Sequence, residues 1–144
     1  MKRILSVAAV LVAAPCRAHL PSSSTLTLDF TAAQRVGLWS VPLVVLDDAW
    51  LVDTNADGTL SDAEWVAAKA LITAEMFAGL HFSSTSKPAV LRISDISVDS
   101  SSAVPRVEVR FSLPQDVSGS QMKITCRLLA WFDPLHRVLI SRKD

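Results

Sequence analysis

An α+β fold is predicted for this chain: an antiparallel β-sandwich-like or open-sheet domain with a helix–loop–helix inserted near its start. Three observations predict it. Short runs that alternate apolar and polar residues fill most of the length, the pattern of antiparallel strands with one wet face. A single segment after residue 61 instead repeats its apolar residues at helical spacing. Just before it lies a polar stretch, Asp53 to Glu64, punctuated by one glycine. With 144 residues, the chain is long enough for one domain with a real core.

Residues 1–18 read as a signal peptide. Lys2 and Arg3 form a positive start, Ile4 to Ala14 an apolar run, and Cys16-Arg17-Ala18 a small-residue cleavage site before His19. The run is too short to span a bilayer. Lipidation at Cys16 is the rival route, disfavoured by Pro15. Cleavage near Ala18 would leave residues 19–144 as a single β-rich domain, periplasmic or secreted. The full chain carries 14 basic and 14 acidic residues, and losing Lys2, Arg3 and Arg17 leaves 11 against 14. That balance argues against nucleic acid as a partner. Cys126 would remain as the sole cysteine, excluding an internal disulfide. Its place on an alternating run with Met122, Ile124 and Leu128 favours a small buried hydrophobe over a reactive thiol.

The elements follow in order. Thr25 to Phe30 alternate Leu26, Leu28 and Phe30 with polar residues, and a strand is expected. Ala33 to Val41 predict a second, with Val36, Leu38 and Ser40 on one face and Pro42 as its stop. Leu43 to Val52 should form a short helix with Val45, Ala49 and Val52 inward, despite its β-branched content. A longer helix is expected from Ser61, with Trp65, Ala68, Ile72 and Met76 on one stripe and Gly79 as a stop. Strands are then expected through Ala89 to Ser94, through Ile96 and Val98 after a shift, and through Arg106 to Leu113. Pro114 to Ser120 read as a loop, Gln121 to Trp131 as a long strand, Asp133-Pro134 as a turn and Arg137 to Ser141 as a last strand.

The stretch between the two helices reads D-T-N-A-D-G-T-L-S-D-A-E. Asp53, Asn55 and Asp57 occupy positions 1, 3 and 5 with short oxygen side chains. Gly58 stands where the chain must turn sharply, Thr59 can offer a carbonyl, Ser61 can ligate through water, and Glu64 can bind with both oxygens. This is the pattern of an EF-hand calcium loop, within a helix–loop–helix at about 43–79. Three carboxylates and further hard oxygens suit Ca2+, whereas transition metals call for the His or Cys that the loop lacks. A turn with a capping box explains Asp57, Gly58, Ser61 and Glu64 without an ion, but not Asp53 and Asn55. Leu60 has no counterpart in a second loop, so it is expected to pack on strands. A lone extracytoplasmic loop is expected to bind at roughly 10⁻⁴–10⁻³ M, as a structural ion.

Other polar groups are weaker candidates. His19, as a mature N-terminal residue, is a secondary metal candidate for copper or nickel. His81 is expected at the surface or as a cap, and His136 as a turn stabiliser. No Ser-His-Asp order, phosphate loop or zinc signature stands in the sequence, and no enzyme is expected.

The order of several segments resembles the extracytoplasmic N-terminal region of bacterial HupE/UreJ family membrane proteins. The matching pieces are Ala18-His19, P-S-S-S-T-L-T-L, V-G-L-W-S-V-P-L, the Asp53–Glu64 loop with Trp65, and R-L-L-A-W-F-D-P-L-H-R-V-L-I at Arg127 to Ile140. Val138 stands where the family carries glycine. The resemblance implies a soluble accessory module of a nickel or cobalt uptake system, with a membrane-protein partner. Transport in that family rests on a membrane bundle, and no apolar run after Ile140 is long enough to span. Non-enzymatic calcium binding is the leading expectation.

Overall fold

The computed structural model describes residues 22–31, 35–83, 88–113 and 122–143. The signal segment 1–18, His19 and the loop 114–120 lie outside the described residues. Strands β1 (Ser23–Asp29) and β2 (Val36–Pro42) lead into helices α1 (Leu43–Trp50) and α2 (Asp62–Gly79). Then follow β3 (Leu80–Ser83), β4 (Pro88–Ala89), β5 (Arg92–Asp99), β6 (Arg106–Ser112), β7 (Lys123–Cys126) and β8 (Arg137–Lys143). The architecture is α+β. A five-stranded sheet has the order β5-β6-β2-β1-β8, and a three-stranded one the order β4-β3-β7. Pairing is antiparallel except for β1 with β8, which run parallel from Ser23↔Arg137 to Asp29↔Lys143.

The large sheet is open and two-faced. Leu26 faces Trp39, Trp39 faces Val109, and Gly37 faces Phe111 on neighbouring strands, and all of these are buried. Ile72 and Met76 of α2, Leu46 of α1 and Phe82 of β3 close the core over that face. The Phe82 and Phe111 rings stand 5.9 Å apart. The other face carries Thr25, Thr27, Glu108 and Arg110, as expected for strands wet on one side.

The structure corrects several strand faces and extents. In β2 it is Gly37, Trp39 and Val41 that point into the core, not Val36 and Leu38. Both faces of V-G-L-W-S-V hold apolar residues, so alternation alone does not choose; the bulk of Trp39 does. Ser40 is also buried, but under Arg106, which donates to its hydroxyl at 2.8 Å. The expected long strand from Gln121 stops at Cys126, because the chain turns through residues 128–132. Leu129 there has φ +58° and gives its N–H to Glu75 at 2.6 Å. β3 was not expected, since L-H-F-S directly continues the helical segment.

The expected strand Ala89–Ser94 is divided: Ala89 pairs with Phe82 of β3 in the small sheet, and β5 starts only at Arg92 in the large one. The register of β5 shifts between Ile93 and Asp95, so Ile93, Ile96 and Val98 all oppose buried residues of β6. Val45 and Val52 are buried, joined by Leu46, while Ala49 is half-buried. α2 ends at Gly79, but through close approach rather than a left-handed turn: a Cβ there would lie 3.1 Å from the Leu128 backbone nitrogen. Cys126 is free and half-buried, and burial pushes its thiol up, so it behaves as a hydrophobe. Among the described residues, no helix is long and apolar enough to cross a membrane.

Candidate functional site

The loop Asp53–Glu64 is set between α1 and α2, and its first anchor is on α1. That helix ends at Leu51 in the left-handed region, φ +52°, with the Leu51 N–H on the Asp47 carbonyl at 2.7 Å. The Asp47 side chain then accepts from the Asp53 N–H at 2.9 Å, fixing where the loop begins. Asp47 was not among the expected site residues; an acid one turn before the helix end is its signal.

Inside the loop, side-chain oxygens turn inward onto backbone N–H groups. Asp53 accepts from Gly58 at 2.7 Å and from Asp57 at 3.2 Å. Asn55 accepts from the Asp57 N–H at 3.0 Å and donates to the Asp57 carboxylate at 2.9 Å. Asp57 accepts from the N–H and hydroxyl of Thr59 at 2.8 and 2.7 Å. Two residues take positive φ: Ala56 at +57° and Gly58 at +82°. Glycine meets that need at Gly58 without steric cost. These bonds bring Asp53, Asn55, Asp57 and Thr59 into one compact turn.

Ser61 and Glu64 form the capping box of α2. The Ser61 hydroxyl accepts from the Glu64 N–H, and Glu64 accepts from the Ser61 N–H at 2.9 Å. The other oxygen of Glu64 accepts the Thr54 N–H at 2.8 Å and the Thr54 hydroxyl. Glu64 thereby straps the end of the loop to its second residue, a contact that the loop pattern does not specify. The Thr54 hydroxyl, followed by the Ser61 N–H, holds the Glu64 carboxyl down at about 2. Bonds from Thr59 and then Asn55 lower Asp57 as well, while the nearby Glu64 charge opposes this. Glu64 is nearly buried, and Asp57 is exposed. Leu60 is half-buried against the core of its own domain, as the lack of a second loop led us to expect.

Among the described residues, no three His, Cys, Asp or Glu side chains draw together into a ready metal cluster. Glu64 faces Thr54 and Ser61 rather than Asp53 and Asp57. The loop therefore offers a hard-oxygen donor set of the right order, with its carboxylates engaged by the loop's own donors.

A second polar cluster was hidden in the sequence. Asp133 accepts from the Ser22 hydroxyl at 2.7 Å, Ser22 meets His136 Nδ1 at 2.7 Å, and His136 Nε2 meets the Ser24 hydroxyl at 2.9 Å. Since Ser22 donates to Asp133, it accepts from His136 Nδ1–H, leaving Nε2 to accept from Ser24. A serine is thus paired with a histidine where sequence order suggested no such pair. The Asp133 carboxylate reaches the imidazole through Ser22, and Ser24 is 1% exposed, so the cluster ties the start of β1 to the turn before β8. Burial lowers His136, and Asp133 opposes that. His136 stabilises its turn as expected, its N–H on the Asp133 carbonyl at 2.9 Å, but its ring does more. His81 is exposed and meets the Ala78 carbonyl near the end of α2 at 3.0 Å.

Glu75 is a further residue that was not expected. It lies on the buried stripe of α2, 8% exposed, and accepts from the Leu129 N–H and from Trp131 Nε1 at 2.8 Å. An acid at the spacing of Ile72 and Met76 was a legible sign of a buried polar contact. No family model matches this chain, and no curated protein matches it.

Proposed function

We propose that the loop is an EF-hand that binds calcium in an exported, non-enzymatic module, and that the ion is mainly structural. One observation supports the reading: Asp53, Asn55, Asp57 and Thr59, four of the six ligating positions, share a glycine-centred turn, Gly58 at φ +82°, between two helices. Asp53, Asn55, Asp57 and Glu64 would hold the ion by side-chain oxygens, Thr59 by its carbonyl and Ser61 through water. Calcium would supply two positive charges to a site whose Asp57 and Glu64 are already held ionised by hydrogen bonds. Its binding competes with the Thr54 donors for Glu64, which favours modest affinity. Leu60 packs on its own domain, which favours an ion that stiffens this fold over one that exposes a surface for signalling.

The exported setting rests on the predicted signal and on the likeness of the flanking segments to the HupE/UreJ extracytoplasmic region. Isothermal titration tests the binding. Calcium should give a saturable single-site heat at roughly 10⁻⁴–10⁻³ M that Glu64→Gln weakens strongly. Absence of heat at millimolar calcium would falsify the reading.

A further inference from the structure

We propose that the domain self-associates head to tail, the β5 edge of one copy pairing with the β8 edge of the next. Among the described residues these are the two ends of the large sheet, and each presents an unpaired strand side to solvent. Such edges are templates for another strand unless they are blocked. Neither is short: β5 runs Arg92–Asp99 and β8 Arg137–Lys143. Both expose apolar side chains, with Val98 37%, Ile140 51% and Leu139 61% exposed.

The two edges match in direction, face and charge. β2 is antiparallel to β1, β6 to β2 and β5 to β6, while β8 is parallel to β1. A second copy continuing the sheet with its core side on the same face therefore sets β8 antiparallel to β5. Aligning Asp99 with Arg137 then places Val98 opposite Val138 and Ile96 opposite Ile140, all on the core side. Ser97 falls opposite Leu139 and Asp95 opposite Ser141 on the wet side. The irregularity between Ile93 and Asp95 confines pairing to Asp95–Asp99, and the charge match in that stretch is Asp99 opposite Arg137. Beneath this part of β5 lies an open pocket of about 450 Å³ walled by Leu60, Trp65, Ile96 and Val98. The apolar side chains of β8 from a second copy would reach its mouth. Two copies of β8 meeting each other would instead set basic residues against basic residues.

The offset makes the contact heterologous, so it propagates rather than closing as a dimer. This proposal does not depend on calcium. Sedimentation equilibrium of the full chain should give a weight-average mass that rises with concentration past twice the monomer mass and falls back with added salt. Val98→Lys blocks one edge and Ile140→Lys the other; each variant alone should stay monomeric. An equimolar mixture should form a complex capped at twice the monomer mass, since each retains the edge the other lacks. Arg137→Glu, at an exposed position, should weaken association at least several-fold without touching the core. A wild type that stays monomeric at every concentration overturns the proposal. So does continued dimerisation of Val98→Lys alone, which would mean β8 pairs with itself.

Discussion

Replacing Glu64 by glutamine separates calcium from the bare capping box. Glu64 offers two acceptor oxygens, and the structure sets two donors on each, from Thr54 on one side and Ser61 on the other. Glutamine keeps the length but offers one oxygen, so one pair of donors must face an NH₂ group. The same change removes one of the three carboxylates that would face the ion. At about 10 mM calcium, a dissociation constant of roughly 10⁻⁴–10⁻³ M stabilises the wild type by about 1.4–2.7 kcal/mol. For a domain of this length that raises Tm by about 5–10 °C. Scanning calorimetry of both proteins in chelator and in calcium gives four Tm values. The expected pattern is a calcium shift in the wild type, a much smaller one with magnesium, and little or none in Glu64→Gln. Equal calcium shifts in both proteins, or none in the wild type, would refute the assignment.

Three further outcomes are expected. Hydrogen bonds hold Glu64 at about 2, below its ordinary 4.5, so the stability it contributes is full above pH 4.5 and is lost as pH falls toward 2. Far-UV dichroism in chelator should show Glu64→Gln lacking that part of the acid transition; superimposable curves would contradict it. Glu75→Ala leaves the N–H of fully buried Leu129 without an acceptor, at a cost of about 1–3 kcal/mol, whereas Trp131, 58% exposed, can turn to water. Urea unfolding measures this, and a loss under about 0.5 kcal/mol would be too small for the contact described. Gly37→Ala sets a Cβ 2.1 Å from the Phe111 ring and should destabilise by about 1–3 kcal/mol by overpacking. Unchanged stability there would mean that Phe111 has room to move.

The α+β class and most of the elements, though not β3, could be read from the sequence because the signals were local. Alternation marked β1, β5 and β6, and the stripe from Trp65 to Met76 marked α2. Glycine and capping chemistry likewise marked the turn around Gly58 and the start of α2. What escaped depended on partners distant in sequence. The inward face of β2 was decided by the place the core gives the bulk of Trp39 between Leu26 and Val109. The end of the strand after Cys126 was decided by Glu75, which captures the Leu129 N–H across the fold. The Ser22–Asp133–His136–Ser24 cluster joins residues more than a hundred positions apart, beyond any periodicity. In the loop, the ligating positions were legible, but the engagement of Glu64 by Thr54 was not, because Thr54 carries no mark of its own.

The parallel pairing of β1 with β8 also sets an order of events. Residues 23–29 must wait for residues 137–143 before that ladder can form, and the serine–histidine tie waits with it. Closing so long a loop costs entropy that only the finished ladder offsets, so this pair belongs among the late, slow contacts. Until then β1 can lean only on β2. In a chain that crosses a membrane as it is made, the sheet would seal only once its last strand has emerged on the far side.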